Sequence, residues 1–260
     1  MNFLRKHWYD LGGVFFIVVL IYTFLNHYNL TNYQIIMWAS LMTLFIHQLE
    51  EYRIPGTFPG MLNNAMYKSA IPDRYPLNTN TSFYVNVAVG WTCYFLAAVL
   101  AEKAIWLGIS TIVISIGNTI AHTTLFNIKG KTLYNAGLVT SWLLFVPCSY
   151  FFFTTIYKEH LATTTNYLIG IPLGIIINII GILKMIDWMA NKNTNYIFDD
   201  KIFYPATESK TAANRSIGLI FKIIRLFIGN NKEMDLTIST LAPLRMAFAY
   251  YFMVPLPAII

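Results

Sequence analysis

Six stretches of about twenty mostly apolar residues constrain this chain more than any other feature. They lie at approximately 11–26, 33–51, 82–101, 104–126, 133–157 and 166–190, each near the length that crosses roughly 30 Å of hydrocarbon as a helix. Lipid offers the backbone no hydrogen bonds, so each stretch must satisfy its own. The expected fold is an all-α polytopic membrane helix bundle of about six transmembrane helices (residues 1–190), followed by a C-terminal amphipathic or interfacial region (191–260). Composition agrees, because 12% charged residues is about half the share in soluble domains. Disorder and a disulfide scaffold are excluded. The eighteen Lys and Arg are scattered between apolar runs, which suits membrane topology and argues against a nucleic-acid partner. Cys93 and Cys148 fall inside apolar runs and build no redox or metal motif. The start, MNFLRKHWYDLGG, places basic residues before an apolar run, but no small-residue cleavage site follows, so a retained span is expected. No internal repeat of the transporter kind is visible.

Loop charges set the expected orientation. Arg5, Lys6, Arg53, Lys68, Arg74, Lys129, Lys131, Lys192, Lys201, Lys210 and Arg215 share one side, against Lys103 and Lys158 on the other. Lys and Arg are retained on the cytoplasmic side, so both termini are expected there. The longest loop, Tyr52 to Thr81, holds Pro55, Pro59, Pro72 and Pro76, which prevent a long helix; a structured loop or short lid is expected. Residues 217–229 are apolar apart from Lys222 and Arg225, which share one helix face, as in a helix lying in the interface. The run 236–260 contains Pro243, Arg245, Pro255 and Pro257 and reads as an interfacial or re-entrant tail.

The chemistry-bearing residues gather at one depth. His47, Glu50 and Glu51 stand at i, i+3 and i+4 on an arc of about 100°, and Asn118 and His122 share a face of the fourth run. The second and fourth runs point the same way, which brings both sets to the same end of the bundle. Asn86, Asn135, Lys184 and Asp187 join them there. Ionisable groups at membrane depth usually face the bundle interior or a wet cavity. Two adjacent glutamates in such a place need a proton, a cation such as Lys184 or Arg53, or a metal ion. Two imidazoles nearby favour the metal, because two histidines and a carboxylate suit zinc, iron or manganese. H-x-x-E also begins the zinc motif H-x-x-E-H, but Glu51 replaces the final histidine, which argues against a standard zinc peptidase. The expected ligands are His47, His122 and one of Glu50 and Glu51. The other glutamate is then a candidate general base, and Asn118 a donor to a developing oxyanion. A structural reading stands beside this one: interfacial residues facing water, and an interhelical Asn118/His122 pair.

His47, Glu50 and Glu51, followed by Tyr52 and Phe58-Pro59-Gly60, with Asn118-x-x-x-His122 about seventy residues later, resemble the HXXEE-domain family of bacterial integral membrane proteins. The likeness covers about residues 38 to 190. It implies a multi-span helical fold and supplies no substrate, since the family is named for its motif. One departure is Tyr134-Asn135-Ala136-Gly137, where a Tyr-x-Pro-Gly-like start to span five is expected.

The leading expectation is a metal-dependent enzyme of hydrolase type in a bacterial cytoplasmic membrane, acting on a lipid or other apolar small molecule from the cytoplasmic side. Glu50, Glu51 and Asn118 are its candidate catalytic residues. The alternatives are a proton-coupled transporter and a metal-free acid-catalysing lipid enzyme such as an isoprenoid cyclase.

Overall fold

The computed structural model describes residues 2–199, and every regular element among them is helical. The expected helix at 217–229, the tail 236–260 and Lys201, Lys210 and Arg215 lie outside the described residues.

Helix α1 (Asn2–Asn26) leads to α2 (Asn32–Tyr52). Helix α2 starts at a capping box: the Gln34 amide donates to Thr31 Oγ1 (3.1 Å) and the Thr31 amide to Gln34 Oε1 (3.2 Å). The helical run Thr79–Gly130 cannot be one rod. The Tyr94 hydroxyl lies 2.7 Å from Ser115 Oγ, whereas residues that far apart on a straight helix stand about 30 Å apart at 1.5 Å per residue. The chain reverses at Ala101, whose φ of +46° breaks the helix into α3 (79–100) and α4 (105–130). Then follow α5 (Leu138–Lys158) and α6 (Thr164–Trp188).

Asn2–Asn26, Thr79–Gly130, Leu138–Lys158 and Thr164–Trp188 are long and apolar enough to cross a membrane. Their outer faces fit lipid: Val14, Ile17, Val18 and Ile21 on α1, and Leu168, Ile175, Ile176 and Ile179 on α6, are about half exposed. Helix α2 is outside that set. Its last two turns carry His47, Gln48, Glu50 and Glu51, all buried, and they are covered by protein rather than lipid. Helix α6 meets α4 at backbone distance. A Cβ added at Gly170 would lie 2.6 Å from the Trp106 carbonyl oxygen, one at Gly174 2.7 Å from that of Ser110, and Ser110 Oγ donates to the Gly170 carbonyl at 2.9 Å. Small residues at the seam allow this approach.

The connection 53–78 is ordered, with a short helix (Phe58–Met61) and one widened turn (Leu62–Met66). Asn63, fully buried, holds it together. Its amide donates to the carbonyls of Pro72 (2.7 Å) and Leu77 (2.8 Å), and its oxygen accepts from the Leu77 amide (3.0 Å). Residues 190–199 lie against this connection: the Phe198 amide donates to the Asp73 carbonyl and the Thr79 amide to that of Tyr196.

Candidate metal centre

Three helices and one loop build the site. Helix α2 presents His47 and Glu51 from consecutive positions of one face, and α4 presents His122 from a widened turn (Ala121–Leu125) with i→i+5 bonding. Such turns interrupt α-helices at functional sites more often than elsewhere. A second widened turn, Ser141–Phe145, follows Thr140 near the start of α5. His47, Glu51 and His122 each contribute a ligand atom, and these atoms all lie within 4.8 Å of one another. His47 Nε2 is 3.6 Å and His122 Nε2 3.2 Å from Glu51 Oε1. The three residues are 2%, 5% and 0% exposed for His47, Glu51 and His122. Phe145 packs on the His47 ring, and Phe58 and Phe126 on that of His122.

The surrounding hydrogen bonds decide where the protons sit. Thr140 Oγ donates its single hydrogen to Glu50 Oε2 at 2.6 Å, so it accepts from His47 Nδ1 at 2.8 Å. The Asn135 amide nitrogen donates to the His122 carbonyl (2.8 Å) and to Asn127 Oδ1 (2.7 Å), which turns its oxygen towards His122 Nδ1. Both Nδ1 atoms therefore carry hydrogen, and both Nε2 atoms are directed at Glu51 Oε1. With both rings neutral, two Nε2 lone pairs face one carboxylate oxygen, and His122 Nε2 is buried without a hydrogen-bond partner. Buried acceptors facing each other are costly. A cation between them removes the cost. Ligand atoms about 2.1 Å from a tetrahedral ion stand about 3.4 Å apart, and the two separations from Glu51 Oε1 bracket that value.

Glu50 takes another direction. Its Oε1 accepts from the Tyr134 hydroxyl (3.0 Å), and its Oε2 from the Thr140 amide (2.8 Å) and hydroxyl. It supports His47 through Thr140 and is not part of the cluster that could hold an ion. Asn118 lies one turn before His122, half-buried, and makes no hydrogen bond to the cluster among the described residues; the asparagine that holds His122 is Asn135. Neither expected cation reaches the glutamates. Arg53 Nε pairs with Asp10 at 3.1 Å and Lys184 with Asp187 at 3.5 Å. Asp187 also accepts from the Tyr67 hydroxyl; burial and this carboxylate push the Tyr67 phenol up to about 12, so it stays protonated as the donor. Asn86 belongs to a neighbouring chain of hydrogen bonds with Gln48, Tyr52 and Trp91.

A family model described as a protein of unknown function with HXXEE motif matches residues 38–152. Over those residues the chain is similar to the HXXEE family. No curated protein and no solved structure matches the chain.

The HXXEE match ends within α5, so α6 with Lys184 and Asp187 lies beyond it, while His47, Glu51, His122 and the residues that support them lie inside. Within the matched segment, Thr140 goes unmarked in the sequence, and Tyr134 and Gly137 stand there only as part of a turn without a role at the site. They form one short stretch around the N-terminus of α5. Gly137 has φ +103°, and a Cβ there would stand 2.3 Å from His122 Cε1. Only glycine provides both that backbone conformation and room for the ring. A glycine just after Tyr134 and Asn135, in a loop of few residues between two apolar runs, was the available signal.

Proposed function

We propose that this protein is a membrane metalloenzyme of hydrolase type that holds one zinc, iron or manganese ion on His47, Glu51 and His122 and acts on a lipid or other apolar substrate. The observation that carries the reading is the convergence of three potential ligand atoms in a buried place, with the Nδ1 atoms of both imidazoles engaged by Thr140 and Asn135. An ion there would polarise a carbonyl or phosphoryl oxygen, or lower the pKa of water. Thr140 and Asn135 would orient the two imidazoles, the role that outer hydrogen bonds play around metal ligands. Glu50 would anchor Thr140 rather than act as general base, since its oxygens are already engaged. The lipid substrate is supported by the apolar helix faces around a site near the ends of α2 and α4, and the loop charges support a cytoplasmic-side opening in a bacterial cytoplasmic membrane.

The test is metal analysis of protein purified in detergent without chelator. About one ion per chain is expected in the wild type and in Lys184→Gln, with loss in His47→Ala, Glu51→Gln and His122→Ala. Hydrolysis of a panel of ester and phosphoester lipids should then disappear with chelator and return with the ion. Folded wild-type protein free of zinc, iron and manganese would overturn this reading and favour proton chemistry at the same atoms, in a carrier or an acid-catalysing lipid enzyme.

A further inference from the structure

At the site's end of the bundle, most described cations are already engaged. Lys6 pairs with Asp199, Arg53 with Asp10, Arg74 with Asp73 and Lys184 with Asp187. Arg5 binds Asn80 and lies over Tyr196, and Lys192 lies over Tyr75. Among the described residues, Lys68, Lys129 and Lys131 are exposed there without such a partner. They are not scattered. The end of α4 touches the turn that precedes Lys68: a Cβ on Gly130 would stand 3.9 Å from the Ala65 side chain and 4.0 Å from that of Met61. Lys129 and Lys131 flank this contact. Beside them, Ile128 is 72% and Leu133 95% exposed.

This lip is tied to the metal centre. The Thr132 amide donates to the Asn127 carbonyl (3.1 Å), Asn127 Oδ1 accepts from Asn135, and Asn135 holds His122. Lys131 closes the turn in the left-handed region at φ +49°, which leaves the two lysines and the two apolar side chains on a short, defined segment. Unpaired cations call for an anion, and the exposed Ile128 and Leu133 on either side of Lys129 and Lys131 call for hydrocarbon. One molecule supplying both is an anionic lipid.

We propose that Lys68, Lys129 and Lys131, with Ile128 and Leu133, form a binding lip for the phosphate headgroup of an anionic membrane lipid, next to the His47–Glu51–His122 centre. Its identification as the entrance for substrate rests on the metalloenzyme reading; the binding itself does not.

The full chain, reconstituted in phosphatidylcholine vesicles, would be tested with spin-labelled phosphatidylglycerol and spin-labelled phosphatidylcholine, reading the fraction of each held at the protein. Preference for phosphatidylglycerol is expected, and it should fall roughly fivefold for each lysine replaced in Lys68→Gln, Lys129→Gln and Lys131→Gln. Arg53→Gln and Lys184→Gln, whose cations are already paired, should leave it unchanged. Equal retention of the two lipids by the wild type, or a preference that survives the triple replacement, overturns the proposal. So does displacement of the labelled lipid by millimolar inorganic phosphate, which would make the ligand a free anion. Metal content measured on the same preparations keeps the two readings apart: an empty centre with intact lipid preference refutes the enzyme and leaves the lip standing.

Discussion

Thr140 shows how much one side chain organises. Its amide and hydroxyl both reach Glu50 Oε2, and its oxygen takes the Nδ1 hydrogen of His47. Valine has nearly the same shape and no hydroxyl. Thr140→Val should therefore keep the helix while leaving His47 Nδ1 and part of Glu50 unsatisfied. The expected result is metal affinity 10- to 100-fold weaker, read by competition with a chromophoric chelator, and a stability loss of about 1–3 kcal/mol. Thr140→Ser, which preserves every bond, should restore most of both. At this scale the sequence marked His47, Glu51 and His122 but could not rank the asparagines. Asn118 and Asn135 are equally plausible as letters; only the fold shows that Asn135 faces His122 Nδ1, because that contact joins a helix to a loop.

Helical arithmetic worked for α2 and α4, and its one ambiguity has a geometric cause. Relative to His47, Glu51 lies about 40° to one side and Glu50 about 60° to the other. That divergence sends Glu51 towards His122 on α4 and Glu50 towards Thr140 on α5. Spacing alone brackets both and cannot choose without knowing where the neighbours stand. The 53–78 connection was legible as structured from its prolines, but its clasp was not, since Asn63 binds residues nine and fourteen positions away. Asn63→Ala should leave the Leu77 amide and two carbonyls unpaired and open this segment, lifting Phe58 from His122. Limited proteolysis should then cut between residues 54 and 78 at least tenfold faster than in the wild type, while Asn64→Ala, at an exposed neighbour, should not change the rate.

For the whole molecule, composition and apolar run length were sufficient for the all-helical class, while burial along each run depends on the packing of its neighbours. Helix α2, apolar enough in its first half to read as a span, packs against its neighbours along its length; Tyr33, Met37, Leu41 and Phe45 are buried along it. The reversal at Ala101 divides a long helical run into two arms that a hydropathy trace separates only by Glu102 and Lys103. An ion held by His47 and Glu51 on one helix and by His122 on another would also tie the bundle together. Chelation of the purified protein is expected to lower its thermal midpoint, and ion at about 100 times its dissociation constant should return about 2.7 kcal/mol, or roughly 5–10 °C for a chain of this size. His122→Ala, already without the ion, should show no response to chelator.

The separation of the site along the chain also has a consequence for how the protein is made. His47, Glu50 and Glu51 are synthesised together with α2, yet Thr140 follows 93 residues after His47. Until α5 arrives, Glu50 has neither of its Thr140 hydrogen bonds, and until α4 arrives Glu51 has no His122. Unpaired carboxylates are expelled from hydrocarbon. Their position in the last turn of α2 provides the solution, since a nascent α2 can wait with that turn in the aqueous layer and draw it inward once the later helices supply partners. The polar end of this helix thus gains its full set of partners only once α4 and α5 are in place.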